Sequence, residues 1–392
     1  MAAAPLLPRG LVTALGSSQL ICWGISYYLI GVFAEAIIDD TGWTAGQVHG
    51  GYSLALVVMG LVSARIGRWI DRRGGRVVMS TGSLLCAAAC TLLALATSLT
   101  VYYLAWALLG LAMRMFLYDT AFAALARIGG TAARPAISHI TLLGGLASTV
   151  FWPFGHWLIA LLGWRTALLV YAVIATATLL LHRRIPDIRS DQGTSAAQGP
   201  VRQPHRHHVV CTLLFTWIVT CAGLLNAAMS AHMIGLMSGL GLSTALAIQL
   251  AALRGVGQTS ARLVEVFFGR RWHPATLNLA ATALLPFAFV VALPTPLGLV
   301  GGLGFAILYG AGNGLVTITR GSLPLVLFDS RVYGHLVGRL LAPGFLVAAA
   351  APLAFAWLQQ ALGAAPTMGV ALAIATSMSL ASLLLWHLAR SA

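Results

Sequence analysis

Along this chain, apolar residues come in blocks of about twenty, the length that crosses a bilayer core as a helix, separated by short polar stretches. Blocks can be marked at roughly 11–36, 45–66, 77–97, 101–126, 137–162, 166–182, 209–237, 244–268, 275–293, 297–319, 332–360 and 366–389. Glycine and proline occur inside them, which is ordinary for transmembrane helices. One long polar stretch interrupts the series, RRIPDIRSDQGTSAAQGPVRQPHRHH at 183–208, leaving six blocks on each side. The pattern predicts an all-α polytopic membrane protein with 12 transmembrane helices in two six-helix pseudo-symmetric halves, 1–182 and 209–392, joined by a cytoplasmic linker at 183–208. The halves echo each other. Gly60-x-x-Ser63-Ala64-Arg65 in the second block recurs as Gly257-x-x-Ser260-Ala261-Arg262 in the eighth. Internal repeats of this kind are how many transporter halves are built.

Composition agrees with the block pattern. The chain is 59% apolar and 8% charged, where a soluble domain carries about 25% charged residues. Its net charge of +14 does not imply nucleic acid, because the basic residues are all arginine and fall mostly in alternate short loops. Arg68, Arg72, Arg73, Arg76, Arg127, Arg134, Arg183, Arg184, Arg189, Arg202, Arg206, Arg270, Arg271 and Arg331 lie between blocks 2–3, 4–5, 6–7, 8–9 and 10–11, whereas the opposite loops hold Arg165 alone. Glu35, Asp39 and Asp40 lie on that arginine-poor side. The positive-inside rule then places both termini in the cytoplasm of a multi-pass plasma (inner) membrane protein, with the arginines near anionic lipid headgroups. Cys22, Cys86, Cys90, Cys211 and Cys221 lie in or beside apolar blocks with no disulfide or metal spacing. The N-terminal apolar block reads as the first span, not a signal peptide.

The turn between blocks 2 and 3 concentrates five charges in Gly67-Arg-Trp-Ile-Asp71-Arg72-Arg-Gly74-Gly-Arg76. This resembles the G-x-x-x-D-R-x-G-R-R loop of the major facilitator superfamily, a family of secondary transporters, with Gly75 where the pattern often has arginine. Gly269-Arg270-Arg271 is a shortened copy after block 8. Gly42-Trp43, Gly163-Trp164-Arg165, Leu323-Pro324-Leu325, Tyr333-Gly334 and Gly338-Arg339 together resemble the monocarboxylate and oxalate/formate branch. The resemblance implies two rocking halves with a midplane site, spans 1, 2, 4, 5, 7, 8, 10 and 11 facing the cavity, and spans 3, 6, 9 and 12 as scaffold. Gly67, Asp71, Arg72, Gly74 and Arg76 then form a cytoplasmic gate with Asp119, Glu265, Arg270 and Arg271. Asp71 is expected to cap or anchor a neighbouring helix end, and Arg76 to pair with Asp119 in the outward-open state. Glu265 is expected to pair with Arg262, Arg270 or Arg271.

Charges inside spans are costly and mark cavities or partners. Arg114 lies near the middle of the fourth block and could bind a carboxylate bidentately; the alternative is a structural arginine bonded to backbone carbonyls or an acid. Arg254 lies at mid-depth in the eighth block. Arg262, two turns on, resembles the carboxylate-contacting arginine of monocarboxylate carriers, with Gln258 where that pattern has an acid; it could equally belong to the gate. Trp23, Tyr27, Tyr28, Tyr118, Asn226, His232, Tyr309 and Asn313 could line a cavity, although residues 27 and 28, adjacent on a regular helix, point about 100° apart and cannot both do so. His232 among Met229, Met233 and Met237 reads as packing before metal.

These residues point to a secondary active transporter, symporter or antiporter, moving a small monocarboxylate-like organic anion by alternating access. The alternative is efflux of a neutral solute such as an arsenical or apolar drug. No paired acid/base cluster suggests an enzyme, and no phosphate or dinucleotide motif suggests a cofactor or ATP. The expected partners are a small-molecule substrate, a coupling proton and membrane lipids, with no metal, no nucleic acid and a monomeric state.

Overall fold

The computed structural model describes residues 7–186, 208–269, 272–293, 296–329 and 333–390. No strand occurs among them. Among the described residues nine helical runs are long and apolar enough to cross a membrane. Two are double: Ala45–Ala94 contains two spans meeting at Gly74, and Leu99–Leu162 contains two joined by the 3-10 turn Gly130–Ala133. Thr244–Phe268 matches the others in length and is set apart by its polar side chains, the charges Arg254, Arg262 and Glu265 together with Gln249, Gln258, Thr259 and Ser260. Together these make the 12 spans the block pattern predicts. In chain order they are Arg9–Thr41, 45–73, 75–94, 99–129, 134–162, Trp164–His182, His208–Gly239, Thr244–Phe268, Pro274–Ala292, Leu299–Ser322, Tyr333–Leu362 and Ala364–Arg390.

Local chemistry sets the boundaries. Span 1 stops at Gly42, whose φ of 70° is the left-handed conformation that glycine adopts without a Cβ clash. Span 2 then starts with a capping box: Thr44 Oγ1 accepts from Gln47 N (3.2 Å), and Thr44 N donates to Gln47 Oε1 (2.9 Å). Gly74, with φ 78° and ψ 163°, makes the reversal between spans 2 and 3. That backbone is open to glycine and strained for other residues, which explains the glycine at this point of the charged turn.

The chain forms two compact units. One comprises 1–201 with 329–342, the other 202–328 with 343–392. The boundary between them falls within the predicted linker, whose residues 187–207 lie outside the described ones. Span 11 is shared, its first ten residues belonging to the first unit, although the sequence assigns them to the C-terminal half.

Large apolar side chains remain exposed on the spans, among them Phe267, Phe268, Val300 and Leu353, as lipid-facing positions require. Lipid offers little hydrophobic drive for helix association, so small residues and polar ties hold spans together. In the first unit His182 is fully buried and joins spans 1, 3 and 6. Its Nε2 meets Ser18 Oγ (2.6 Å) and its Nδ1 meets Ser83 Oγ (3.1 Å), which also bonds Thr178 Oγ1 (2.7 Å). The second unit has a parallel set in spans 9, 10 and 12. Asn278 Nδ2 donates to Ser382 Oγ (2.7 Å), Thr319 Oγ1 to Asn278 Oδ1 (2.8 Å), and Ser379 Oγ to the Thr282 carbonyl (2.7 Å). A second parallel lies at the crossings of spans 2 with 4 and 8 with 10. A Cβ on Gly110 would collide with the backbone of Ala55, and one on Gly310 with the backbone of Arg254.

Candidate functional site

In the first unit, spans 1, 4 and 5 each depart from regular helix at mid-length. Span 1 widens into a π-turn over Trp23–Tyr27, with Tyr28 N donating to the Trp23 carbonyl (3.1 Å). Span 5 is interrupted at Leu146. Span 4 breaks at Leu117, whose ψ of −175° is extended. Across that break Thr120 N bonds the Leu117 carbonyl (3.0 Å), not that of Phe116. The freed Phe116 carbonyl receives the buried Gln19 amide instead (2.8 Å). We expect Gln19→Leu to cost about 1–3 kcal/mol, the penalty of an unsatisfied buried carbonyl, read as a lower thermal midpoint of the purified protein. An unchanged midpoint would show that the break needs no such support.

The break also accounts for two charges. Arg114 sits in the last turn of Leu99–Phe116 and Asp119 in the first turn of Tyr118–Gly129. A cation at a helix C-terminus and an anion at an N-terminus both complement the helix dipole. Arg114 is 2% exposed. Its Nε donates to Ser63 Oγ (2.9 Å), Nη2 to the Ser63 carbonyl (3.3 Å) and Nη1 to Thr120 Oγ1 (3.1 Å), while Thr120 Oγ1 donates to the Arg114 carbonyl (2.7 Å). Of the two roles open to Arg114, this geometry is that of a structural arginine tying spans 2 and 4. Arg262, also 2% exposed, reaches from span 8 to the Gly314 carbonyl of span 10 (3.4 Å). Each unit thus has a buried guanidinium across its glycine-lined crossing, donated from opposite members of the pair.

Around the π-turn the rings of Trp23, Tyr27, Tyr28 and Tyr118 gather. Trp23 lies 4.7 Å from Tyr27, 6.0 Å from Tyr28 and 4.9 Å from Tyr118 between centroids, and Tyr27 meets Tyr28 edge-on at 5.6 Å. Both adjacent tyrosines therefore join one cluster, where the π-turn winds an extra residue into the helix. Tyr52 and Trp152, absent from the sequence-based candidates, extend the cluster from Tyr27 (5.4 Å) and Tyr28 (6.3 Å).

At the charged turn, Asp71 Oδ1 accepts from Gly334 N (3.0 Å) and Oδ2 from His335 N (2.7 Å), capping the start of span 11. This is the helix-end anchor the sequence predicts. Arg127 donates to the Asp71 carbonyl. Glycines allow the approach: a Cβ on Gly67 would overlap the Gly334 carbonyl, and one on Gly338 would press on Ser63. Arg72 is exposed, and no ion pair joins Arg76 to Asp119. Glu265 is buried and makes no ion pair with Arg262, while Arg270 and Arg271 lie outside the described residues.

The second unit brings four predicted residues to one point. Arg254 Nη2 donates to Asn226 Oδ1 (2.6 Å), which also accepts from Asn313 Nδ2 (3.2 Å). Arg254 Nη1 donates to Ser230 Oγ (3.2 Å), and its guanidinium lies 5.1 Å from the Tyr309 ring centroid, within cation–π range. Tyr309 is fixed in turn by donating its hydroxyl to the Leu225 carbonyl (2.9 Å). Arg254 is partly exposed, and every group holding it is neutral; among the described residues no carboxylate pairs with it. Ser230 gave no signal in the sequence. His232 stands apart, its Nε2 donating to the Pro352 carbonyl (2.7 Å).

Over residues 16–352 the chain matches the Major Facilitator Superfamily. No curated protein matches it. Among solved structures, the superfamily transporter FucP in its outward conformation shares 13% identity at a TM-score of 0.72, covering 98% of this chain and 99% of that one. The human organic anion transporter MFSD10 (TETRAN) shares 18% at 0.72, covering 98% and 100%. The proton:xylose symporter XylE shares 13% at 0.72, covering 96% and 94%. At these identities the likeness is one of fold.

Proposed function

The chain belongs to the major facilitator superfamily, a multi-pass membrane transporter and not an enzyme, and we propose that it is a secondary active transporter of a small, monocarboxylate-like organic anion, working by alternating access. Its structural neighbours include carriers of organic anions and of xylose, so they do not choose the cargo. Arg254 carries the choice. Its charge is held by Asn226, Ser230 and Tyr309 without a counter-anion. A guanidinium at mid-depth in a poorly screened setting repels cations and gains most from an anion. Among the described residues only two of its five N–H donors have partners, which leaves donors for a carboxylate. Arg114 and Arg262 are bonded into helix crossings, so the proposal assigns anion recognition to Arg254. The gate role of the charged turn is part of the same reading, supported by the Asp71 cap on span 11.

A thermal-shift comparison tests it. A ligand at 100 times its Kd stabilises by about 2.7 kcal/mol. Short carboxylates are expected to raise the midpoint of the purified protein, and the matching primary amides are not. If the amides stabilise as well as the acids, or neutral solutes alone do so, efflux of a neutral cargo replaces this reading.

A further inference from the structure

The polar side chains around Arg254, all within the second unit, form a relay whose direction is fixed. A guanidinium only donates, so the Asn226 atom that meets Arg254 Nη2 at 2.6 Å is its carbonyl oxygen. That same oxygen lies 3.2 Å from the Asn313 side chain, so Asn313 turns its NH2 group toward it. Neither amide can flip without setting donor against donor or acceptor against acceptor. Two atoms are left over: Asn226 Nδ2 as a donor and Asn313 Oδ1 as an acceptor. Neither has a partner among the described residues, and neither is a buried atom left without one. Asn226, Arg254 and Asn313 are all partly exposed, so a ligand can reach these atoms. Ser230 Oγ accepts from Arg254, which leaves its hydroxyl hydrogen for donation. The cluster thus sets donors around Arg254, as an anion requires, and adds one amide acceptor on Asn313. A plain carboxylate only accepts, so it cannot satisfy that oxygen.

We propose that the cargo is a hydroxylated carboxylate, its carboxylate accepting from Arg254 and its hydroxyl donating to Asn313 Oδ1. The carboxylate in this inference rests on the organic-anion reading; the hydroxyl does not. The donor is a hydroxyl and not an ammonium, because a cation there would stand close to the guanidinium with no carboxylate among the described residues to offset it. Asn313 is then the specificity-determining residue, and Asn226 the positioning residue that sets its polarity. A cargo without the hydroxyl leaves the Asn313 oxygen unpaired, the loss by which polar sites reject analogues.

The experiment measures equilibrium binding to the purified full chain. The probes are butyrate, its 2- and 3-hydroxy derivatives, their methyl ethers and 2-aminobutyrate, with butyramide and the two hydroxybutyramides as neutral counterparts. At least one hydroxy acid is expected to bind about 3- to 10-fold tighter than butyrate. Its methyl ether, which keeps the oxygen and loses the donor, is expected to bind no tighter than butyrate. Asn313→Leu is expected to bring the ratio of hydroxy-acid to butyrate affinity down to about one. Equal binding of butyrate and both hydroxy acids overturns the inference and leaves the anion reading standing. So does an ether that binds as tightly as its hydroxy acid, or 2-aminobutyrate binding tighter than both hydroxy acids. If no acid binds but a hydroxybutyramide is preferred over butyramide, the anion reading falls and the hydroxyl preference stands; if nothing binds, both fall. A folded Asn313→Leu protein that keeps the preference overturns the assignment to Asn313. Where that variant fails to fold, Asn313→Ala gives the same readout, and the wild-type comparison alone decides the need for a hydroxyl.

Discussion

Arg254→Ala is expected to lower carboxylate uptake by about 100-fold in proteoliposomes while the protein remains folded. Removing a charge-assisted fork to a desolvated anion costs about 2–5 kcal/mol, and a hundredfold loss lies within that range. The fold should survive because Arg254 is partly exposed, and Asn226 and Asn313 keep their own bond when the guanidinium is gone. Arg254→Lys retains charge without the planar fork and should fall between. Arg114→Ala provides the contrast. That guanidinium is 2% exposed and spans the break at Leu117, so the loss there should be of folded protein. Full carboxylate uptake by a folded Arg254→Ala protein would remove the basis of the anion assignment.

The second large effect is expected at the crossing of spans 2 and 11. Gly67→Val inserts a branched side chain where even a Cβ overlaps the Gly334 carbonyl. Overpacking of this kind costs about 3 kcal/mol, and since the offending neighbour is backbone, relief by a rotamer change is closed. Fluorescence-detected size exclusion should show little monodisperse protein. Asp71→Asn keeps the shape but loses the charge at the helix start, worth roughly 1 kcal/mol in a cap of this type. It should therefore give folded protein with an altered transport rate, because the cap holds the first turn of span 11. A Gly67→Val protein as stable as wild type would mean that spans 2 and 11 part more readily than their contact implies, and an unaltered rate in Asp71→Asn would remove the gate role.

The spans were legible because lipid exposure demands uninterrupted apolar stretches, and the Asp71 anchor because its motif is local. The convergence of Asn226, Arg254, Tyr309 and Asn313 was not. Each stands out alone as a polar or aromatic residue in an apolar run, but they come from spans 7, 8 and 10, and their meeting depends on helix rotation and crossing, which no single run encodes. Arg114 and Arg254 illustrate the limit. Both lie at mid-depth, and the difference between a structural tie and an open fork is made by Ser63 and Thr120 on one side and by Asn226 and Ser230 on the other. The break at Leu117 carries neither glycine nor proline. Its traces in the sequence are the charges Arg114 and Asp119 on either side of it and Gln19, a polar side chain in an apolar run of another span.

The π-turn of span 1 fixes a phase relation between the two ends of that helix. Leu15 and Gln19 before it and Phe33 and Ile37 after it are all fully buried. The five residues of that turn sweep about the angle that four sweep in a regular helix, so deleting one residue between Trp23 and Tyr27 would restore regular winding with both buried faces kept in place. The same deletion elsewhere in the helix would turn one end by about 100° against the other and bring one buried set outward. Span 1 therefore has one place where its residue count can fall by one and its core contacts survive: the turn that gathers the rings.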